Sequence, residues 1–167
     1  MIIVYTGNGK GKTSSAFGVA LRARGYNKKV HIIQFGKTKN TGEYKAAKKL
    51  GIDIKTFGRK EWIDCNNPKQ EHIRLAQEAV KYAVEVINKK PFLVILDEIN
   101  IALHCKLISK QEVLNLIKLA NNKHVHLILT GRYAKPYVKR EADLVTEMKE
   151  VKHPFRKGIP AVRGLDW

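Results

Sequence analysis

The feature that most constrains this chain is the junction at its start. An apolar run, Ile2–Tyr5, stops at Thr6-Gly7-Asn8-Gly9-Lys10-Gly11-Lys12-Thr13, and a helical pattern follows at once. The apolar run predicts a buried strand. Residues Lys12–Arg24 carry Ala16, Phe17, Val19, Ala20 and Ala23 on helical spacing, with Gly25 expected at the C′ position. Gly11-Lys12-Thr13 is the end of a Walker A loop. Glycines let such a loop curl so that its N–H groups face a polyphosphate, and the helix N-terminus adds partial positive charge. Lys12 supplies a full charge to the outer phosphates, and the Thr13 hydroxyl is suited to Mg²⁺. The common pattern has a further glycine five positions before Gly11, where this chain has Thr6. The competing reading is a glycine turn that binds nothing; strand before, helix after and an intact Gly-Lys-Thr weigh against it.

Strand and helix patterns alternate along the rest of the chain. Val30–Phe35, Ile52–Phe57, Phe92–Leu96, Val125–Leu129 and Leu144–Met148 read as strands. Residues 42–50, 67–89, 111–120 and 137–142 read as helices, the longest with an apolar stripe of Ile73, Ala76, Val80, Ala83 and Ile87. This alternation predicts an α/β domain with a mainly parallel sheet, residues 1–167 forming one unit. Ligands on such sheets sit at the carboxyl ends of the strands.

Two more strand ends carry candidate chemistry. Phe92–Leu96 runs into Asp97 and Glu98, a Walker B pattern whose hard oxygens suit a magnesium ion bridging phosphates. Glu98 suits either the metal or a water. Val125–Leu129 ends in Thr130-Gly131-Arg132, which would put Arg132 on the rim of the glycine loop, against the alternative of an ordinary surface arginine. Trp62 lies in an irregular stretch after Phe57; composition favours a core plug over a platform for a flat ligand. The six histidines show no zinc spacing, and no serine-nucleophile elbow stands out.

Composition narrows the partners. The chain has 32 Lys+Arg against 15 Asp+Glu, a net charge of +17, which favours anionic ligands without choosing among them. A lysine-rich solvated surface explains the same number. The 44% hydrophobic content excludes disorder as the main state, and no apolar run approaches the roughly 18 residues of a membrane span. The chain opens directly into an apolar strand with no signal-type n- and h-regions, so a cytoplasmic protein is expected. Cys65 and Cys105, far apart in sequence, are then expected as reduced thiols.

Several segments together resemble one family. GNGKGKT followed by SSAFGVALRARG, then VHIIQFGK with TGE, VILDE, LILTGR, EADLVTEM, VKHPFRKG and GLDW run in order along nearly the whole chain. They resemble the P-loop ATP:corrinoid adenosyltransferases of vitamin B12 biosynthesis, in which a loop lacking the first Walker glycine is a family trait. The resemblance implies a RecA-like P-loop fold, a homodimer, and transfer of the 5′-deoxyadenosyl group of ATP to the cobalt of a reduced corrinoid with release of triphosphate. It implies a nucleotide lying reversed in the loop relative to ordinary P-loop NTPases. By position, Gly7, Asn8, Gly9, Lys10, Gly11, Lys12, Thr13 and Ser14 look like the triphosphate cradle. Thr13 and Glu98 look like magnesium ligands with Asp97 in support, and Arg22 is similar to a nucleotide-contacting arginine. Trp62, with Phe57 and Arg132, is assigned to the corrinoid, Trp62 against its lower face.

The match has departures. The chain starts at the first strand, without the N-terminal segment that some relatives fold over the corrinoid, which implies a more open site or a covering partner. The stretch QFGKTKNTGE is a residue shorter than usual and has no tryptophan. An acidic flavoprotein is the natural electron donor for a basic surface. The rival readings are a P-loop kinase and a nucleic-acid-stimulated ATPase. The second is disfavoured because no basic stripe interleaved with aromatics is present.

Overall fold

The computed structural model describes residues 1–166; Trp167, the last residue of the Gly-Leu-Asp-Trp segment, lies outside the described residues. Six strands, β1 (Ile2–Thr6), β2 (Val30–Phe35), β3 (Asp53–Phe57), β4 (Leu93–Asp97), β5 (His126–Thr130) and β6 (Leu144–Glu147), form one sheet in the order β3-β2-β4-β5-β1-β6. Every pairing is parallel. The helices are α1 (Lys12–Gly25), α2 (Gly42–Lys49), α3 (Gln70–Asn88), α4 (Ile99–His104), α5 (Lys110–Asn122) and α6 (Pro136–Arg140).

The α/β expectation holds, and the reason is visible in burial. β4 is buried at all five positions because helices cover both faces of the sheet. On one face, α3 and α5 pack the stripe Ala76, Val80, Ala83 and Ile87 against Val94 and Leu96. On the other, α1 lays Ala16, Ala20 and Ala23 over Ile32, Ile95 and Ile128. The small alanines let α1 sit close to the sheet, which brings its N-terminus to the strand ends.

The strand order decides where a site forms. β1 and β4 are not neighbours; β5 lies between them. The chain leaves β1 through α1 and crosses over β5 and β4 to reach β2. The carboxyl ends of β1, β5, β4 and β2 therefore open onto one crevice, the usual place for a ligand on such sheets.

Three expectations are corrected. Gly25 is not a C′ residue: α1 runs through it, Tyr26 is the cap, and Asn27 takes the left-handed conformation (φ 54°), a role asparagine also fills. The helix α4 has no counterpart in the sequence reading, because six residues are too short for a periodic signal. Cys65 and Cys105 are not separate thiols: they form a disulfide across 40 residues. The loop after β3 folds back over the end of α4, a meeting that sequence distance cannot reveal. Cys105 is buried in the core, whereas Cys65 belongs to an exposed loop.

His31 offers a test of the packing on β2. Burial holds its imidazole below the ordinary histidine range, with Lys89 and Lys29 adding to the effect against Asp53. Its Nδ1 is buried without a hydrogen-bond partner. A depressed folded-state pKa means that the unfolded chain binds the proton first, so stability is lost as pH falls through the ordinary histidine value toward the folded one. We expect His31→Asn to flatten the fall in melting temperature between about pH 7 and pH 5, read by circular dichroism; an unchanged slope would show that other groups set it.

Candidate active site

The glycine loop is shaped by a neighbour the sequence does not announce. The chain just beyond β6 runs against it: the Gly9 N–H donates to the Met148 carbonyl at 2.7 Å, and the Met148 N–H donates to the Thr6 carbonyl at 2.8 Å. A Cβ on Gly7 would stand 2.4 Å from the Met148 oxygen, and one on Gly9 would stand 2.6 Å from the Lys149 oxygen. Gly7 and Gly11 also adopt positive φ, 98° and 117°. Glycine is therefore required at positions 7 and 9 by contact, and at positions 7 and 11 by conformation. Thr6, at the site of the missing Walker glycine, belongs to β1, and its hydroxyl accepts the Ala134 N–H at 3.2 Å.

Lys12 opens α1 with its ammonium folded back on the Gly9 carbonyl at 2.6 Å. Burial pushes its pKa down, Glu98 offsets part of this, and Arg132 adds to it. Thus Lys12, Glu98 and Arg132 share one electrostatic neighbourhood, and Arg132 does emerge on the loop's rim, its side chain exposed. Of the remaining loop residues, Asn8, Lys10 and Ser14 are exposed, and Lys10 pairs with Asp166 of the C-terminal tail.

Asp97 does not face solvent. It is fully buried at the end of β4, where Oδ1 accepts from Thr13 Oγ1 at 3.0 Å and from Thr130 Oγ1 at 2.7 Å. Its Oδ2 accepts from Gln34 Nε2 at 3.0 Å and meets Lys37 Nζ at 3.0 Å. Burial works to raise this carboxyl's pKa, but Lys37 and the bonds from Thr130 and Gln34 outweigh it, so Asp97 is held below the ordinary range. Glu98 shifts the other way: burial and the Asp97 charge raise it against Lys37, Lys12 and Arg132. Its backbone sits in the left-handed region (φ 63°), held there by its N–H bond to Thr130 Oγ1 at 2.9 Å. Adjacent carboxylates pushed apart in this way are a mark of functional sites.

Lys37 was not singled out from the sequence, and neither were Gln34, Glu43 and Thr130. Lys37 Nζ lies 3.2 Å from Thr13 Oγ1 and 3.4 Å from Glu43 Oε1 in addition to Asp97. A signal was present: Gln34 and Thr130 are polar residues inside otherwise apolar strands, and buried polar side chains need partners.

The other candidates divide. Trp62 is not a core plug: it is 97% exposed, on the loop between β3 and α3 that the disulfide ties to the end of α4. Phe57 is the buried one, its ring 5.8 Å from Tyr82. Beneath the Trp62 loop a cavity of about 20 Å³, room for one water, is lined by Phe57, Ile63, His72 and Glu98. Arg22 is on the exposed side of α1, ten residues or about 15 Å of helix from Lys12, and is not brought to the loop within this chain.

The donor set fits a divalent cation. Thr13 and Asp97 offer hard oxygens beside the loop, Glu98 lies next to them, and the position already holds a positive group, Lys37. Among the described residues no group of three or more His, Cys, Asp or Glu side chains is arranged for a metal. A metal here would need phosphate oxygens and water to complete its shell.

The close approach at Gly9 is testable. Gly9→Ala should cost about 1–3 kcal/mol, since backbone must move. Gly18→Ala, in open space within α1, should be neutral or gain about 0.5–1 kcal/mol. Urea unfolding of both variants measures the contrast; equal effects would refute the contact argument.

Comparison with known proteins agrees with this geometry. The family model described as ATP:corrinoid adenosyltransferase BtuR/CobO/CobP matches residues 1–167. The chain is 37% identical over 172 residues to a corrinoid adenosyltransferase of Sinorhizobium sp, covering 100% of this chain and 80% of that protein. It is 37% identical over 170 residues to one of Pseudomonas aeruginosa (100% and 83%), and 32% identical over 169 residues to one of Escherichia coli K12 (100% and 85%). A solved structure, the KaiC-like protein of Pyrococcus horikoshii OT3, superposes with a TM-score of 0.58 at 18% identity, covering 90% of this chain and 72% of that one. That likeness concerns the fold alone, a parallel sheet flanked by helices. With the loop, the buried acid and the whole-length match in hand, the chain belongs to the ATP:corrinoid adenosyltransferase family.

Proposed function

We propose that this chain moves the 5′-deoxyadenosyl group of ATP onto the cobalt of a reduced corrinoid, using the residues gathered at the carboxyl ends of β1, β4 and β5. The observation that carries the reading is the convergence of Lys12, Thr13, Asp97, Glu98 and Arg132 on one crevice in a chain of this family. The reaction needs little acid–base chemistry. A cobalt(I) corrinoid brings its own electron pair to C5′; the new Co–C bond forms, the C5′–O bond breaks, and triphosphate leaves with that bond's pair. The protein's tasks are positioning and neutralising charge on the leaving group.

Lys12 is the principal candidate for that second task. Its ammonium rests on the Gly9 carbonyl, a partner that does not cancel its charge. Gly7, Asn8, Gly9, Lys10, Gly11 and Ser14 frame the cradle. The Gly9 N–H is already spent on Met148, so the remaining amides and the two lysines carry the contacts to phosphate. Arg22 is assigned to the nucleoside end of ATP, because it stands well along α1 from the phosphate loop. We assign Thr13, Asp97 and Glu98 to Mg²⁺, which when bound adds charge neutralisation at the triphosphate.

Trp62 is assigned to the corrinoid. A fully exposed tryptophan is costly unless something flat covers it. Resting on the lower face of the ring, it would keep an axial ligand and water away from cobalt during reduction, with Arg132 at the rim. Phe57 supports from below by packing under the loop. We also propose a homodimer: β6 is an edge strand with Leu144 and Val145 exposed, and Val151, Phe155 and Leu165 are exposed in the tail. A net charge of +17 supports docking of an acidic flavoprotein as electron donor. No helix among the described residues is long and apolar enough to cross a membrane. The cytoplasm, where ATP is made available, is the proposed compartment, with the Cys65–Cys105 bond an exception to the reduced thiols usual there.

Two measurements test this. Mixed anaerobically with Mg-ATP and chemically reduced cob(I)alamin, the protein should yield light-sensitive adenosylcobalamin and one triphosphate per corrinoid; orthophosphate release without corrinoid would favour a kinase or ATPase instead. Trp62→Ala should lose about tenfold or more in turnover from cob(II)alamin with a flavoprotein reductant, yet lose much less from pre-reduced cob(I)alamin. Equal losses would remove Trp62 from the reduction step.

A further inference from the structure

Lys37 rests on the oxygens assigned above to Mg²⁺. It follows Gly36 at the end of β2, and its ammonium is held by oxygens from three separate elements: Asp97 Oδ2 of β4 at 3.0 Å, Thr13 Oγ1 of α1 at 3.2 Å and Glu43 Oε1 of α2 at 3.4 Å. The Thr13 hydroxyl spends its proton on Asp97 Oδ1, so what it offers Lys37 is a lone pair. That lone pair and the Asp97 carboxylate are the oxygens assigned above to Mg²⁺. An ammonium and a divalent cation cannot share them, because like charges about 3 Å apart repel strongly in a partly buried site. Asp97 is fully buried, so it cannot be left without a positive partner either.

We propose that Lys37 is the resident cation of the nucleotide-free site, a positioning residue that keeps a divalent metal out until triphosphate arrives to receive the displaced ammonium. This inference rests on the adenosyltransferase reading for its ligand, but its test does not. The flexible stem of lysine lets the ammonium swing from the carboxylate to a phosphate oxygen, and Lys37 borders the loop through Thr13. Metal and nucleotide then enter together: metal alone meets an occupied position, and the arriving phosphates supply both the missing metal ligands and a new partner for Lys37. Gln34 and Thr130 keep Asp97 fixed throughout, since their hydrogen bonds do not involve the lysine.

The test uses Mn²⁺ as the probe, with no nucleotide or corrinoid present. Electron paramagnetic resonance counts free Mn²⁺ during titration of the wild-type protein and of Lys37→Met and Lys37→Arg. Lys37→Met should bind one Mn²⁺ at least about tenfold more tightly than wild type, and Lys37→Arg, which keeps the charge, should bind as weakly as wild type. A merely structural lysine would not distinguish these variants in metal affinity. Equal affinity in wild type and Lys37→Met overturns the proposal, whether both bind or neither does. If Lys37→Met does not fold, the wild type decides: millimolar Mn²⁺ alone should leave its melting temperature unchanged, and a rise on metal alone overturns the proposal. Failure here would leave triphosphate release by the same protein untouched, so the two readings stand or fall separately.

Discussion

The structure turns on a carboxylate that has no access to water. Asp97 ends the most buried strand of the sheet, and a charge placed there is tolerable only if the surrounding chain meets each of its oxygens. Three elements comply with four side chains: α1 with Thr13, β2 with Gln34 and the Lys37 that follows it, and β5 with Thr130. These elements are distant in sequence and adjacent in space only because β5 inserts between β1 and β4 and the chain crosses to β2. The same network fixes Glu98, since the Thr130 hydroxyl that donates to Asp97 also accepts the Glu98 N–H. One buried charge thus aligns the start of the glycine-loop helix with the strand bearing the second acid.

The glycine loop obeys a second constraint, which comes from the far edge of the sheet. β6 pairs with β1 and carries Met148 and Lys149 directly onto the loop. The loop's unusual spacing follows from this contact. Thr6 is strand, hydrogen-bonded through its backbone to Met148 and through its hydroxyl to Ala134. The glycines gather where the neighbouring backbone leaves no room for a side chain. A loop braced in this way meets its triphosphate with one amide already engaged, which distinguishes it from a P-loop whose amides all face the ligand.

Opposite this rigid wall is a part of the crevice built from a loop. Trp62 projects into solvent from a segment anchored at three points: β3 on one side, the Cys65–Cys105 bond, and Ile63 pressing toward Gly36 over the small cavity. Glu98 lines the same cavity, so the loop that presents the tryptophan and the acid that faces the glycine loop share a wall. In the proposed reaction, the segment assigned to the corrinoid and the acid assigned beside the triphosphate would be neighbours there.

Sequence alone determined the alternating α/β plan, the position of the glycine loop and the acidic strand end, because these rest on local rules: apolar periodicity, the backbone freedom of glycine and the spacing of Gly-Lys-Thr. It also placed Arg132 on the rim correctly, since a residue just past a buried strand must emerge at that strand's carboxyl end. What it did not disclose are the contacts between elements. Trp62 reads as a plug by composition and stands in solvent; Cys65 and Cys105 read as strangers and are bonded; Lys37 reads as one lysine among many and sits on the oxygens of Asp97 and Thr13. Each depends on which strands and loops become neighbours. That is set by the crossover order of the sheet and by the requirement that a buried carboxylate be neutralised, and neither is written in any local run of residues.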